Sequence, residues 1–344
     1  MIFYVGSYAH AGQESIKKIE FDEQTGEFKV IKASDHAECP SYVITSPDNS
    51  MLYAVRELTE EGAVYAFREN AEGFEEVNEK LSLGKDPCFL SLDPSGKYLY
   101  VVNYSSGNLS VFAINADGSL GNITDHIQHN GKGIHPTRQE EAHVHCAVCR
   151  NGFIYVCDLG MDRIFVYGLN EANGKLSEKE CIAVPAGAGP RHLLFSDEYP
   201  EIMYVVGELS NCVYVYDLSD DDHKLLQTIS TLPEGFDGQS TAAAIRFSAD
   251  KSCVFVSNRG DDSIIGFKVL GGGRLKKFVY SKCGGRTPRD FAVVGNMLVV
   301  ANQSSDEITL LDYDPASKNL GLRKESYRTI KPTCIAVAEE KTCL

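Results

Sequence analysis

The side chains best suited to chemistry in this chain are arginine, histidine and glutamate residues at the edges of short apolar runs. Arg191 and Arg289 each follow a proline that opens such a run, His143 opens another, and Glu208 and Arg259 each close one. The planar guanidinium group matches carboxylate and phosphate groups, and a glutamate or a histidine can act as a general base. If the fold gathers these residues, they form a binding site for an anion with a proton acceptor beside it.

The overall charge of the chain makes a local group of arginines informative. The 344 residues include 33 Lys+Arg and 48 Asp+Glu, which gives a formal net charge of −15. A field this negative repels DNA and anionic membranes, so we expect neither nucleic acid nor a membrane as a partner. Several arginines at one place in such a protein indicate an anionic small molecule instead.

The ends and the cysteines indicate a cytoplasmic protein. No apolar run approaches the roughly 20 residues of a bilayer span, and the first residues lack a basic leader region and predict a strand. The 11 cysteines have no disulfide-scaffold spacing, and several, such as Cys157 and Cys253, lie in apolar runs. This usage is typical of free thiols in a reducing compartment.

One cysteine pair invites a metal-site interpretation. Cys146 and Cys149 form a C-x-x-C motif shortly after His143 and His145. No second Cys/His pair follows at zinc-finger spacing, and residues three apart in a strand point to opposite faces of the sheet. We therefore predict neither a metal ion nor another cofactor.

A repeat organises the whole chain. A proline or small residue, an apolar strand, a turn, a second apolar strand, a polar tip and a third strand recur at intervals of 44 to 55 residues. The seven starts are Pro40, Pro87, Ala142, Pro190, Ala242, Pro288 and Pro332. Four antiparallel strands per repeat of this length describe the blade of a β-propeller, so we predict an all-β, seven-bladed propeller. The repeats leave no room for a second domain, so residues 1–344 are predicted to be one domain.

The two termini are predicted to complete the last blade together. Residues 332–338 supply only a first strand, whereas residues 2–5 resemble a second strand. One C-terminal strand with three N-terminal strands would leave no open sheet edge.

This fold predicts a polar collar at one end of a central channel. The first strand of a propeller blade is innermost, so its start and the end of the second strand lie at the same mouth. Polar residues occupy these positions in six blades and at the N-terminus: Ser7, Ser41, Arg56, Glu57, Cys88, Asn103, His143, His145, Asp158, Arg191, His192, Glu208, Asn258, Arg259, Arg289, Asn302 and Gln303. Convergent polar groups in a cavity mark a binding site.

Several stretches resemble one enzyme family along essentially the whole chain. The segments 141–145, 187–192 (Gly-Ala-Gly-Pro-Arg-His), 207–209, 257–259 and 287–291 are similar to the propeller-type 6-phosphogluconolactonases, which are related to the fungal carboxy-cis,cis-muconate lactonising enzymes. Two segments depart from the family pattern, residues 241–244 (Thr-Ala-Ala-Ala) and residues 331–333 (Lys-Pro-Thr). These two departures affect the prediction of the substrate more than the prediction of the fold.

The resemblance implies a carboxylic ester hydrolase of carbohydrate metabolism that converts 6-phosphogluconolactone into 6-phosphogluconate in the pentose phosphate pathway. It implies that His143, Arg191, Glu208 and Arg259 form the site. Glu208 or His143 would be the base, Arg191 would face the carbonyl oxygen, and Arg259 with Arg289 would hold the phosphate. The other predicted substrate-binding residues are His145, Asp158, Gln303 and Arg56.

Two alternatives stay open at this point. The first is another enzyme, either a muconate-type cycloisomerase or a lactonase for a different aldonolactone. The second is a propeller that binds a partner without catalysis, since propellers host many functions.

Overall fold

The computed structural model describes residues 1–317 and 319–337. Regular structure in this part of the chain is almost entirely β-sheet, as its valine-, isoleucine- and tyrosine-rich runs predict. The only helical elements here are two short 3₁₀ turns, Gly271–Gly273 and Gln303–Ser305. No helix in the described residues is long and apolar enough to cross a bilayer.

The strands follow one another along the chain with short connections. The first fifteen are β1 Ile2–Ser7, β2 Ile16–Asp22, β3 Glu27–Ser34, β4 Val43–Thr45, β5 Met51–Arg56, β6 Ala63–Glu69, β7 Phe74–Leu81, β8 Pro87–Leu92, β9 Tyr98–Asn103, β10 Asn108–Ile114, β11 Leu120–Gln128, β12 Val144–Arg150, β13 Phe153–Asp158, β14 Arg163–Asn170 and β15 Lys175–Ala183. The others are β16 Pro190–Phe195, β17 Ile202–Gly207, β18 Cys212–Asp217, β19 Lys224–Ser230, β20 Thr241–Phe247, β21 Cys253–Arg259, β22 Ser263–Val269, β23 Leu275–Lys282, β24 Pro288–Val294, β25 Met297–Asn302, β26 Glu307–Asp314, β27 Asn319–Arg328 and β28 Pro332–Val337.

These strands form seven antiparallel four-stranded sheets, which are the blades of a seven-bladed β-propeller. Blade A has the strand order β28-β1-β2-β3, and the other blades take four consecutive strands each: B (β4–β7), C (β8–β11), D (β12–β15), E (β16–β19), F (β20–β23) and G (β24–β27). Blade A confirms the predicted closure by one C-terminal and three N-terminal strands. Ala338, the last residue of the predicted C-terminal strand, lies outside the described residues.

Burial within each blade follows the strand order. In blade C, the second strand Tyr98–Asn103 is buried along its whole length, whereas the last four residues of the fourth strand Leu120–Gln128 alternate between half-buried and exposed. An alternating pattern is expected of a strand with one face in solvent. The fourth strand is therefore the outer edge of the blade.

The turn between the first two strands of blade C shows why the repeat folds into hairpins. Asp93 accepts hydrogen bonds from the backbone N–H of Ser95 (3.0 Å) and of Tyr98 (2.7 Å), and Gly96 has a φ of +69°. Aspartate and glycine are the residues that such turns favour. The side chain of Asp93 thus substitutes for missing backbone partners and fixes the hairpin.

The chain divides into two compact units. One contains Met1–Cys181 with the segment from Thr333, and the other contains Ile182–Pro332. The first holds blades A to C and nearly all of blade D, and the second holds blades E, F and G. The single domain predicted for residues 1–344 therefore stays a prediction.

Each unit has its core between the faces of neighbouring blades. In the first unit, Val55 of blade B packs with Leu90 and Val101 of blade C. In the second unit, Phe255 of blade F packs with Phe291 and Val300 of blade G. Because the inner strands are held from both faces, the residues at their ends have well-defined positions.

Candidate active site

A β-bulge lies near the start of several inner strands, at residues that the sequence assigned to the site. In β16 the pairing register shifts between Pro190 and His192, which leaves Arg191 as the extra residue. The same shift occurs around Arg289 in β24 and around His145 in β12. A bulge bends its strand and re-aims a side chain. Three predicted site residues thus leave the regular in–out alternation of their strands.

The segment before β16 places Arg191 beside Glu208. Gly189 has a φ of +62°, a left-handed conformation that glycine adopts without strain. Its carbonyl oxygen accepts the backbone N–H of Glu208 at 2.8 Å. Glu208 follows the end of β17, so this hydrogen bond joins the tip of the second strand to the entrance of the first.

Arg191, Glu208 and Arg259 form one ion-paired cluster in the second unit. The Oε2 atom of Glu208 lies 3.1 Å from Nε of Arg191 and 2.7 Å from Nη2 of Arg259. Arg259 also donates from Nη2 to the carbonyl oxygen of Ala242, at 3.2 Å. Blades E and F together therefore hold two guanidinium groups on a single carboxylate oxygen.

The cluster combines burial with an excess of positive charge. The side chains of Arg191 and Glu208 are 3% and 4% exposed, and that of Arg259 is 14% exposed. Two arginines and one ionised glutamate carry one net positive charge. Guanidinium groups match carboxylate and phosphate groups, so this cluster suits an anionic ligand or a reaction that develops negative charge beside it.

In the first unit, His143 and His145 surround Tyr104. The imidazole of His143 stacks on the Tyr104 ring with centroids 4.5 Å apart and planes 9° apart, while His145 meets the ring edge-on at 5.7 Å. Nδ1 of His143 lies 3.1 Å from the carbonyl oxygen of Tyr104. A carbonyl only accepts hydrogen bonds, so Nδ1 donates to it, and in the neutral form of the ring Nε2 is the nitrogen with the lone pair.

Asp158 holds the backbone of His143 in place. It is fully buried, and its Oδ1 atom accepts the backbone N–H of His143 at 2.9 Å. Its Oδ2 atom lies 2.8 Å from Nδ1 of His129, whose Nε2 lies 2.9 Å from the hydroxyl of Tyr167. The carboxylate therefore fixes the backbone at the entrance of β12.

The remaining predicted residues lie at the ends of inner strands. Arg56, the last residue of β5, pairs with Glu79 of the outer strand β7 at 2.5 Å. Arg289 is the second residue of β24, and Gln303 directly follows β25, with its backbone N–H bonded to the carbonyl oxygen of Thr287 at 3.0 Å. Both therefore lie at the same end of blade G.

The structure thus brings Arg191 and Arg259 into contact with Glu208, and their role as a site stays a prediction. His143, His145, Asp158 and Arg56 belong to the other unit, so the meeting of all these residues at one mouth stays a prediction. Cys146 and Cys149 are both in β12, three residues apart, and burial raises the pKa of Cys149 to about 12.

Two residues next to the histidines were missed by sequence reasoning. Tyr104 directly follows the polar tip of β9, and an aromatic residue at this position is a usable signal. His129 follows the outer strand of blade C and reaches Asp158 across 29 residues. No local sequence pattern predicts a contact between residues that far apart along the chain.

Comparisons with known proteins agree with this fold. A family model described as "Lactonase, 7-bladed beta-propeller" matches residues 2–337. The chain is 32% identical over 343 residues to the 6-phosphogluconolactonase of Bacillus subtilis, covering 97% of each chain. Among solved structures, it is similar to the periplasmic gluconolactonase of Pseudomonas aeruginosa (31% identity, TM-score 0.90, 97% and 98% covered). It is also similar to a protein from Lactobacillus plantarum (29% identity, TM-score 0.90, 97% and 99% covered).

Proposed function

Because this chain belongs to the seven-bladed β-propeller lactonase family, we propose that it hydrolyses 6-phosphogluconolactone to 6-phosphogluconate. The observation that carries the proposal is the largely buried cluster in which the guanidinium groups of Arg191 and Arg259 share one oxygen of Glu208. A lactone whose ring opens through an oxyanion and which bears a phosphate presents negative charge at two places. Guanidinium groups suit both.

The reaction needs a nucleophilic water and a partner for the carbonyl oxygen. Water attacks the lactone carbonyl carbon, and the carbonyl oxygen becomes an oxyanion that the guanidinium of Arg191 stabilises. The tetrahedral intermediate collapses as the bond to the ring oxygen breaks, and the ring oxygen takes up a proton. The products are a hydroxyl group and a carboxylic acid on the same open chain, and the acid becomes a carboxylate by releasing its proton to the solvent.

We assign the general base to Nε2 of His143 and not to Glu208. The Tyr104 carbonyl oxygen holds the proton of His143 on Nδ1, which leaves Nε2 able to take a proton from water and return it to the ring oxygen. Oε2 of Glu208 is instead ion-paired with both arginines. Glu208 is therefore a positioning residue that holds Arg191 and Arg259.

The phosphate is assigned to Arg259 and Arg289. Arg259 is the most exposed member of the cluster, and Arg289 takes the same bulged position in blade G that Arg191 takes in blade E. His145, Gln303 and Arg56 are proposed to contact the sugar hydroxyl groups or the phosphate. Asp158 acts on the substrate through His143, since its carboxylate is fully buried.

We further propose that the protein acts in the cytoplasm, in the pentose phosphate pathway. The name of the Bacillus subtilis relative supports this reaction, and the free, mostly buried cysteines among the described residues are typical of a reducing compartment.

The test is a comparison of substrates with purified protein. Hydrolysis of 6-phosphogluconolactone and of unphosphorylated gluconolactone is followed by acid release, with the spontaneous rate subtracted. We expect a higher kcat/KM for the phosphorylated lactone, and we expect Arg289→Ala to lower kcat/KM for that substrate selectively. Equal or better turnover of the plain lactone would overturn the phosphate assignment. Absence of turnover above the spontaneous rate would overturn the enzyme assignment, and lactonisation of a carboxymuconate would replace it with the cycloisomerase.

A further inference from the structure

Three side chains of the types that bind transition metals lie together in two loops of blade A, apart from the residues discussed above. His10 is in the loop between β1 and β2, and Glu38 and Cys39 are in the connection from β3 to β4. Their ligand atoms all lie within 4.8 Å of one another. We propose that His10, Glu38 and Cys39 form a binding site for Zn²⁺ or a similar divalent transition metal.

The distances between the donor atoms fit a small tetrahedral ion. Sγ of Cys39 lies 3.9 Å from Nδ1 of His10 and 3.8 Å from Oε1 of Glu38, and the latter two atoms are 2.6 Å apart. Zinc bonds of about 2.0–2.3 Å place tetrahedral donor atoms about 3.3–3.6 Å apart. Metal binding would replace the hydrogen bond between His10 and Glu38. For this, Nδ1 of His10 and Oε1 of Glu38 need to separate by only about 0.7 Å. The His10 side chain is 70% exposed, so it is able to move that far.

Backbone hydrogen bonds hold the two loops together before any ion binds. Cys39 donates its N–H to the carbonyl oxygen of Ala9 (2.9 Å), and Gly12 donates to that of Asp35 (2.8 Å). The second carboxylate oxygen of Glu38 accepts the backbone N–H of Ala11 at 2.6 Å. Such outer contacts orient metal ligands and raise the affinity of a site.

The donor set selects the class of metal. A cysteine sulfur, an imidazole nitrogen and a carboxylate oxygen suit Zn²⁺ and its neighbours in the first transition row, whereas Mg²⁺ and Ca²⁺ prefer oxygen ligands alone. Three protein ligands leave a fourth tetrahedral position. The exposure of His10 places this position at the surface, where water can fill it.

The site would stabilise the entrance to blade B. The carbonyl oxygen of Cys39 accepts the backbone N–H of Ser41 (2.8 Å) and of Glu57 (3.1 Å), and Glu57 is also bonded by the hydroxyl groups of Ser41 and Tyr8. An ion held by Cys39 would therefore fix the segment that leads into β4. A ligand that binds only the folded state raises its stability.

The test uses the full chain after treatment with a chelator. Zn²⁺ is titrated in competition with a chromogenic chelator, and Co²⁺ serves as a spectroscopic probe because cobalt bound to a thiolate gives a charge-transfer band. The variants are His10→Ala and Cys39→Ser. His36→Ala is the matched control, since His36 is an exposed histidine beside Asp35 in the same loop, and Cys181→Ser is the control for an exposed cysteine.

We expect one Zn²⁺ per chain, an affinity loss of at least about tenfold in His10→Ala, and unchanged binding in both controls. The cobalt–thiolate band should be present in the unmodified chain and absent in Cys39→Ser. The proposal is overturned by binding that is equally tight in His10→Ala and His36→Ala, by a cobalt spectrum without a thiolate band, or by no binding. If Cys39→Ser fails to fold, His10→Ala decides alone, because its exposed side chain contributes little packing.

Discussion

Replacing Glu208 by Gln separates its two candidate roles, because the substitution removes the charge and keeps the size. In the structure, Glu208 is the shared partner of Arg191 and Arg259, and its side chain is 4% exposed. Breaking a buried ion pair by removing one partner costs about 3–5 kcal/mol. The glutamine oxygen still accepts one hydrogen bond, which recovers about 1 kcal/mol. We therefore expect the free energy of unfolding to fall by about 2–4 kcal/mol, measured by urea denaturation.

An exposed ion pair of the same length provides the control. Arg323 lies 2.7 Å from Asp312, as Arg259 does from Glu208, but the Asp312 side chain is 51% exposed. Exposed pairs contribute about 0–1 kcal/mol, so Asp312→Asn should change the unfolding free energy by less than about 1 kcal/mol. Equal losses in Glu208→Gln and Asp312→Asn would refute the claim that burial gives the cluster its strength.

The same variant tests the assignment of the base. If Glu208 only positions the arginines, Glu208→Gln should lower kcat/KM for lactone hydrolysis by about 100-fold through misplacement of Arg191, and the acidic limb of the pH–rate profile should remain. That limb should disappear in His143→Gln. Loss of the acidic limb in Glu208→Gln, with its retention in His143→Gln, would show that Glu208 is the base.

Three further predictions concern residues of the first unit. His129→Ala should lower the free energy of unfolding by about 3 kcal/mol in urea denaturation, because it leaves the fully buried Asp158 without its side-chain partner. Tyr167→Phe should cost clearly less, since it removes one hydrogen bond and leaves Asp158 paired with His129. Burial raises the pKa of the Cys149 thiol from 9.0 to about 12, so stability that is present below pH 9 should decline as the pH rises from about 9 toward 12. For the same reason, thiol labelling at pH 8 followed by peptide mapping should modify the exposed Cys181 well before Cys149, and equal labelling rates would contradict the burial.

The propeller was predictable because its information is local and repeated. Each blade shows apolar runs, turn residues and a polar tip at nearly constant spacing, and the structure places strands in all seven repeats. The difference at blade B is instructive: the repeat predicts a strand from Pro40, but β4 spans only Val43–Thr45. The left-handed φ of +45° at Cys39 does not explain this late start, because Asp86 and Thr287 are also left-handed and the strands after them begin directly at the next proline.

The candidate site was predictable only in part. The repeat placed Arg191, Glu208 and Arg259 at strand ends, and the structure brings them into contact. The bulge at Arg191 depends on the pairing register between two strands, which composition does not specify. The group of His10 and Cys39 depends on two loops that meet across 29 residues. Neither the bulge at Arg191 nor the contact between the His10 and Cys39 loops has a sequence signature.

The most direct test of the central claim, that the Arg191–Glu208–Arg259 cluster stabilises the lactone oxyanion, is the rate of lactone hydrolysis by Arg191→Ala. The rate is corrected for spontaneous hydrolysis and for the folded fraction. The control is Arg246→Ala in the same unit, because Arg246 lies toward the far end of β20 and pairs with Asp290. Loss of an oxyanion donor costs about 100- to 1,000-fold in kcat. We predict a loss of this size in Arg191→Ala and a rate within about threefold of the unmodified protein in Arg246→Ala; near-normal turnover by Arg191→Ala would contradict the claim.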